Sequence, residues 1–147
     1  MKWLQLSVSE DIAFNKPNTT VNGNPDPLRV TSLTSLAVRL NAGRLTADAN
    51  LVATYATESL TESEKYSIKT PDDRHKLSPS LALSYRLLHD HALYLRANVK
   101  STFRMPTFND LYYLQIGNTA LRPEKAQEYG GGITWNSGTI GHLKYLA

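Results

Sequence analysis

Residues 44–57 read RLTADANLVATYAT. One parity holds Leu45, Ala47, Ala49, Leu51, Ala53 and Tyr55, and the other holds Thr46, Asp48, Asn50, Val52, Thr54 and Ala56. Successive side chains of a strand point to opposite faces, so this stretch makes a strand with one apolar and one largely polar face. The alternation spreads outward. Leu77, Pro79, Leu81, Leu83, Tyr85 and Leu87 oppose Ser78, Ser80, Ala82, Ser84 and Arg86; Leu93, Leu95, Ala97 and Val99 oppose Tyr94, Arg96, Asn98 and Lys100. Shorter versions set Leu4, Leu6 and Val8 against Gln5, Ser7 and Ser9, and Leu36, Val38 and Leu40 against Ser35, Ala37 and Arg39. Tyr129, Ile133 and Trp135 oppose Glu128, Gly130, Gly132 and Thr134, while Ile140 to Ala147 is apolar but poorly patterned. These segments predict an all-β, antiparallel, up-and-down chain of seven strands and no helix. Glu10 falls on the apolar parity of the first strand and needs a bulge or an interfacial position to explain it.

The connections alternate between long and short. Asn15 to Thr31, Glu58 to Lys76 and Met105 to Ala126 are long, polar and rich in turn formers; Asn41-Ala42-Gly43, Leu88 to His91 and Asn136-Ser137-Gly138 are tight. A transmembrane barrel imposes this order, because antiparallel strands place successive connections on opposite sides of the membrane. Full charges on the polar parity (Asp48, Arg86, Arg96, Lys100) suit a water-filled or plugged lumen better than a packed core. Tyr55, Phe103 and Tyr129 lie toward the long loops, and Tyr85 and Trp135 toward the short turns, as aromatic girdles would. The same alternation also fits a soluble antiparallel sheet with one wet face.

Composition adds exclusions. The chain has 147 residues, 41% apolar and 20% charged, with a formal charge of +3 and no cysteine. Thiolate metal sites and a disulfide scaffold are ruled out, whereas a barrel in an oxidising envelope is not, since barrels close through hydrogen bonds. The basic cluster Arg74-His75-Lys76 is short and follows Asp72-Asp73, so it reads as solvated surface charge and no nucleic-acid partner is expected. Met1-Lys2 leads directly into the alternating stretch rather than into a secretory leader, so the chain is expected to be a trimmed piece.

Residues 100–135 read KSTFRMPTFNDLYYLQIGNTALRPEKAQEYGGGITW. Phe103-Arg104-Met105-Pro106-Thr107-Phe108-Asn109-Asp110-Leu111-Tyr112, followed by Gly117-Asn118 with Leu121, Pro123, Glu124 and Tyr129, resembles the signature region of TonB-dependent outer-membrane receptors of the vitamin B12 and siderophore type. The resemblance implies a Gram-negative outer-membrane transporter that imports a bulky, scarce solute (siderophore, cobalamin, haem or glycan) with energy from TonB. It further implies a barrel of about 22 strands around an N-terminal plug. Nothing in residues 1–147 resembles a plug, so the chain is expected to be a partial barrel domain whose coupling to the TonB complex runs through a plug it lacks. Its partners would be outer-membrane lipid and the solute. As an isolated piece it would expose two sheet edges and self-associate through them.

Locally, Pro106 ends a ladder, Asn109-Asp110 and Gly117-Asn118 suit turns, and Pro123-Glu124 precedes re-entry into a strand. Arg104, Asn109, Asp110, Tyr112 and Tyr113 are the candidates to anchor the loop or contact ligand, and Asp48, Asn50, Arg86, Arg96, Asn98, Lys100 and Arg104 the candidates to line the lumen. Catalytic chemistry is not expected. No serine sits in a G-x-S-x-G elbow, Gly130-Gly131-Gly132 lacks a following helix and Lys, and His89 and His91 flank a short turn rather than forming a metal site. No cofactor is implied. The alternatives are a passive porin-like channel and a soluble antiparallel β-sheet binding module.

Overall fold

A computed structural model describes residues 3–17, 26–61, 70–88, 92–113 and 117–136. They form one sheet of six strands in sequential order: β1 (Leu4–Asn15), β2 (Asp26–Ala42), β3 (Leu45–Thr61), β4 (Arg74–Arg86), β5 (Ala92–Arg104) and β6 (Glu124–Asn136). Every neighbouring pair is antiparallel. The up-and-down architecture expected from the alternation is therefore present. The seventh strand expected at Ile140 to Ala147, and the turns expected at His89 to His91 and Ser137-Gly138, lie outside the described residues.

Two expectations are corrected. A short helix, α1 (Phe108–Tyr112), interrupts the connection between β5 and β6, where no helix was expected. It is a single turn, too short to show a 3.6-residue period in sequence. Secondly, β2 and β3 reach further toward the long-loop end than the polar composition suggested, so Arg29, Glu58 and Arg74 are strand residues rather than loop residues.

Pro27 sits inside β2 without breaking it. Asn41 donates its N–H to Trp3, so odd residues of β2 aim their amides toward β1. Pro27 would aim its missing N–H the same way, but the β1 ladder stops at Asn15↔Arg29. The position needs no donor, which is where a strand tolerates proline.

Register places the side chains on two distinct faces. Arg39, Asp48, Ala82 and Asn98 stand in one row across β2 to β5, and Ser35, Val52 and Ser78, followed by Ala37, Asn50, Ser80 and Lys100, in others on the same polar face. Opposite them Leu36, Leu51, Leu81, Leu83, Leu95 and Ile133 lie exposed on the apolar face. A soluble sheet would bury that face against a second layer; here nothing among the described residues covers it. Glu10 stands on it in regular register with Thr34, so no bulge excuses it. Instead the hydroxyls of Ser32 and Thr34 donate to its two carboxylate oxygens.

The β2–β3 hairpin turns on Gly43-Arg44, one residue later than the expected Asn41-Ala42-Gly43, with Ala42 paired to Leu45. Gly43 has φ +61° and Arg44 is not in the positive-φ region, the signature of a turn with glycine in its first central position. Open space surrounds the position where a Gly43 Cβ would sit, so a substitution there strains the backbone alone. Gly43→Ala should cost about 1–2 kcal/mol, read as a lowered urea midpoint, while Arg44→Ala leaves the midpoint unchanged.

Candidate functional site

The site lies on the polar face at the long-loop end, where α1 folds back over the sheet. Pro106 is buried as the chain leaves β5, and Thr107 caps the helix. The Asp110 amide donates to Thr107 Oγ1 at 3.2 Å, and the Thr107 amide donates to Asp110 Oδ2 at 2.8 Å. This reciprocal pair satisfies two amides that a helix start leaves without partners. The Thr107 amide, and after it the Thr107 hydroxyl, hold the Asp110 carboxyl below the ordinary carboxylate range, with Arg104 adding to the effect.

Phe108 and Tyr112, four residues apart, share one face of the helix and stack with ring centroids 6.2 Å apart. That face meets the sheet. Leu111 and Tyr112 are buried, and the Tyr112 hydroxyl donates to Glu58 Oε2. Burial, then the bond to Glu58, raises the Tyr112 phenol far above its ordinary value, so it remains a donor through the physiological range.

Glu58 is the centre. Its side chain is 2% exposed, on β3, between Arg29 of β2 and Arg74 of β4, themselves only 11% and 10% exposed. Arg29 Nε donates to Glu58 Oε1 at 3.0 Å and Arg74 Nη1 donates to the same oxygen at 2.8 Å. Each guanidinium has a further arm. Arg29 Nη2 donates to the Pro106 carbonyl at 2.9 Å, and Arg74 Nη2 to the Leu121 carbonyl at 3.3 Å. Arg29 also lies 4.6 Å from the centre of the Phe108 ring. Three adjacent strands thus hold both legs of the loop and its helix. An isolated buried carboxylate would be costly; two cations and a phenol compensate it.

The two sequence strings that carried the resemblance meet here. Gly117 donates its amide to Tyr113 O at 2.6 Å, and Asn118 donates its amide to Asp110 O at 2.9 Å. A Cβ on Gly117 would lie 2.5 Å from Tyr113 N and 2.8 Å from Leu111 O, so only glycine fits. Asn118 Oδ1 then accepts from the Ala120 amide at 2.9 Å, closing an Asx turn.

Of the loop candidates, Tyr112 is inside the cluster, whereas Asn109, Asp110 and Tyr113 line a shallow concavity of about 510 Å³ with Leu121. Tyr113 is 56% exposed. Arg104 ends β5 opposite Glu124 and faces Asp110 electrostatically. The other candidates are spread down the polar face. Asp48 pairs with Arg39, Lys100 with Glu128 at 3.0 Å, and Asn50 Oδ1 accepts from Ser35 at 2.9 Å. Arg86 donates to the Tyr94 hydroxyl at 3.0 Å; Asn98 lies over the Cβ-less Gly130, and Arg96 stands opposite Gly132.

Sequence reasoning missed Arg29, Glu58 and Arg74. One signal was available: Glu58 continues the even parity of Asp48, Asn50 and Thr54, and could have been kept on the strand. Its pairing with two arginines from the strands on either side, 29 and 16 residues away in sequence, had no local signal.

The family described as TonB dependent receptor-like, beta-barrel, matches residues 5–144. Over 49 residues the chain is 41% identical to the vitamin B12 transporter BtuB of Photobacterium profundum, a stretch covering 33% of this chain and 8% of that protein. No solved structure matches the chain.

Removing the central carboxylate should be severe. Glu58→Ala leaves two guanidinium groups buried without their counter-charge, an expected cost of about 3–5 kcal/mol, and limited trypsin digestion should then cut faster after Arg104, where β5 enters the loop. Gly117→Ala should loosen the same loop, whereas Ala120→Gly should not. The phenol gives a pH signature. Because its folded value is raised, its bond stabilises the loop fully below the ordinary value of 10.0 and fades only as pH rises through the higher folded one. Tyr112→Phe should therefore delete a late-ionising phenol from a spectrophotometric titration.

Proposed function

The chain belongs to the TonB-dependent receptor β-barrel family, and from that premise we propose that residues 1–147 are a sector of the wall of an active importer. The family's members are transporters of the Gram-negative outer membrane, not enzymes. Membership sets aside the soluble-sheet alternative. In this proposal the apolar face meets hydrocarbon, and the polar face, with Asp48, Asn50, Arg86, Arg96, Asn98, Lys100 and Arg104, lines the lumen. Energy reaches the barrel from TonB through a plug that residues 1–147 do not supply. The solute is bulky and scarce; the vitamin B12 transporter similar over 49 residues makes cobalamin the first to try, ahead of siderophore, haem or glycan.

One observation supports the proposal most: a long connection folds inward over the polar face and is held by a buried charge cluster, not left free in solvent. A loop held this way narrows the external mouth with a preorganised rim, so that ordering it costs little when solute binds. Asn109, Asp110 and Tyr113 present that rim; Tyr112, Glu58, Arg29 and Arg74 hold it in place.

In the full-length receptor, Tyr113→Ala and Asn109→Ala should each weaken solute binding about tenfold, equal to 1.4 kcal/mol, with normal membrane insertion. Unchanged affinity in both would remove the rim from the binding site. Spin labels at positions 51, 83 and 95 should be quenched by a lipid-soluble reagent, and labels at 48 and 98 by an aqueous one or by none. The reverse pattern would overturn the assignment of faces.

A further inference from the structure

Helix α1 has two faces, and the buried cluster uses only one of them. Phe108, Leu111 and Tyr112 stand at intervals of three and four and meet the sheet, with Leu111 and Tyr112 buried and Arg29 against the Phe108 ring. Asn109, Asp110 and Tyr113 stand at the same intervals on the opposite face, and all three are exposed. Because α1 packs on the polar face of the sheet, its far side looks away from the wall. With the polar face lining the lumen, that side looks into the barrel mouth.

The concavity on this side, about 510 Å³, is lined by Asn109, Asp110, Tyr113 and Leu121. Tyr113 and Leu121 give it exposed apolar surface. Asp110 gives it a negative charge, and no Lys or Arg lines it among the described residues. The two oxygens of that carboxylate have different duties. Oδ2 accepts from the Thr107 amide and closes the cap, whereas Oδ1 accepts from nothing among the described residues. The start of a helix attracts anions through its unanswered amides. Here the cap already engages the Thr107 and Asp110 amides. Arg104 acts on Asp110 too, and favours its ionised form. An acidic group entering the concavity therefore meets an ionised carboxylate, while an N–H or O–H donor finds an unoccupied acceptor.

Resting on the importer reading, we propose that Asp110 is a specificity-determining residue of the rim. Its outward oxygen accepts from a neutral, donor-bearing face of the solute, a carboxamide or a sugar hydroxyl, seated against Tyr113 and Leu121. Its charge turns acidic solutes away. A hydrogen bond to a carboxylate is stronger than one between neutral groups, and like charges set face to face reject the wrong partner.

The test uses the purified full-length receptor and measures affinity for two classes of solute. Cyanocobalamin and maltohexaose present amide and hydroxyl donors; ferric citrate and ferric enterobactin present negative charge. The receptor should favour a solute of the first class over both of the second. Asp110→Asn separates the two duties, because its amide oxygen can still accept from Thr107 while an NH2 donor replaces the outward acceptor. It should cut the preference about tenfold, the size of one charge-assisted hydrogen bond, with trypsin cleavage after Arg104 unchanged. Thr107→Ala, which weakens the cap and keeps the carboxylate, should lower both affinities alike and leave the preference as it was. An unaltered preference in Asp110→Asn, or an equal fall in Thr107→Ala, would overturn the proposal. A favoured acidic solute whose binding still falls in Tyr113→Ala would overturn it too, and leave the importer reading standing. Binding that ignores both Tyr113→Ala and Asn109→Ala would instead remove the rim, and this role of Asp110 with it.

Discussion

One carboxylate organises the upper end of this structure. Glu58 sits on β3 with arginines on both neighbouring strands, and it can be buried only because they and the Tyr112 hydroxyl surround it. The arginines cannot be satisfied by a single carboxylate either. Their remaining donors reach the Pro106 and Leu121 carbonyls, which are the two legs of the loop. Neither half closes without the other. The loop therefore lies against the wall as a consequence of charge burial, and the helix, its cap and the Gly117 turn follow from where those two legs are pinned.

The rest of the sheet follows a different logic. Large apolar residues stand exposed along one face, and the opposite face carries paired charges and amides, covered among the described residues by α1 at the long-loop end. In water such a ribbon has no stable partner for its apolar side. In a bilayer the apolar face is solvated by hydrocarbon, and the strands meet their hydrogen-bonding needs from one another. Pro27 falls where no neighbour remains to be bonded, and costs the sheet nothing.

Much of this was legible in the sequence. The two-residue period fixed which side chains share a face, and the register bears this out for Asp48, Asn98, Lys100 and the leucines opposite them. Alternating connection lengths fixed the antiparallel order. The Phe103 to Tyr112 and Gly117-Asn118 strings located the loop. Strand ends were harder to see: Pro27, Arg29 and Glu58 look like loop in a local window, yet β2 begins at Asp26 and β3 runs to Thr61. The sequence also did not show that Tyr112 turns inward while Tyr113 faces out, although the two are adjacent and chemically alike.

Alternation, turn chemistry and proline placement act over a few residues, so the sequence by itself determined the strand order, the two faces and the family. The Glu58 cluster joins residues 29, 58, 74 and 112, which approach one another only after three strands have paired and the loop has folded back. Burial of charge is a property of that assembled environment, not of any segment. Hence Arg74, which read as solvated surface charge, and Arg29 and Glu58, which read as part of the long connections, are buried or nearly so in the fold, and only the tertiary structure could decide it.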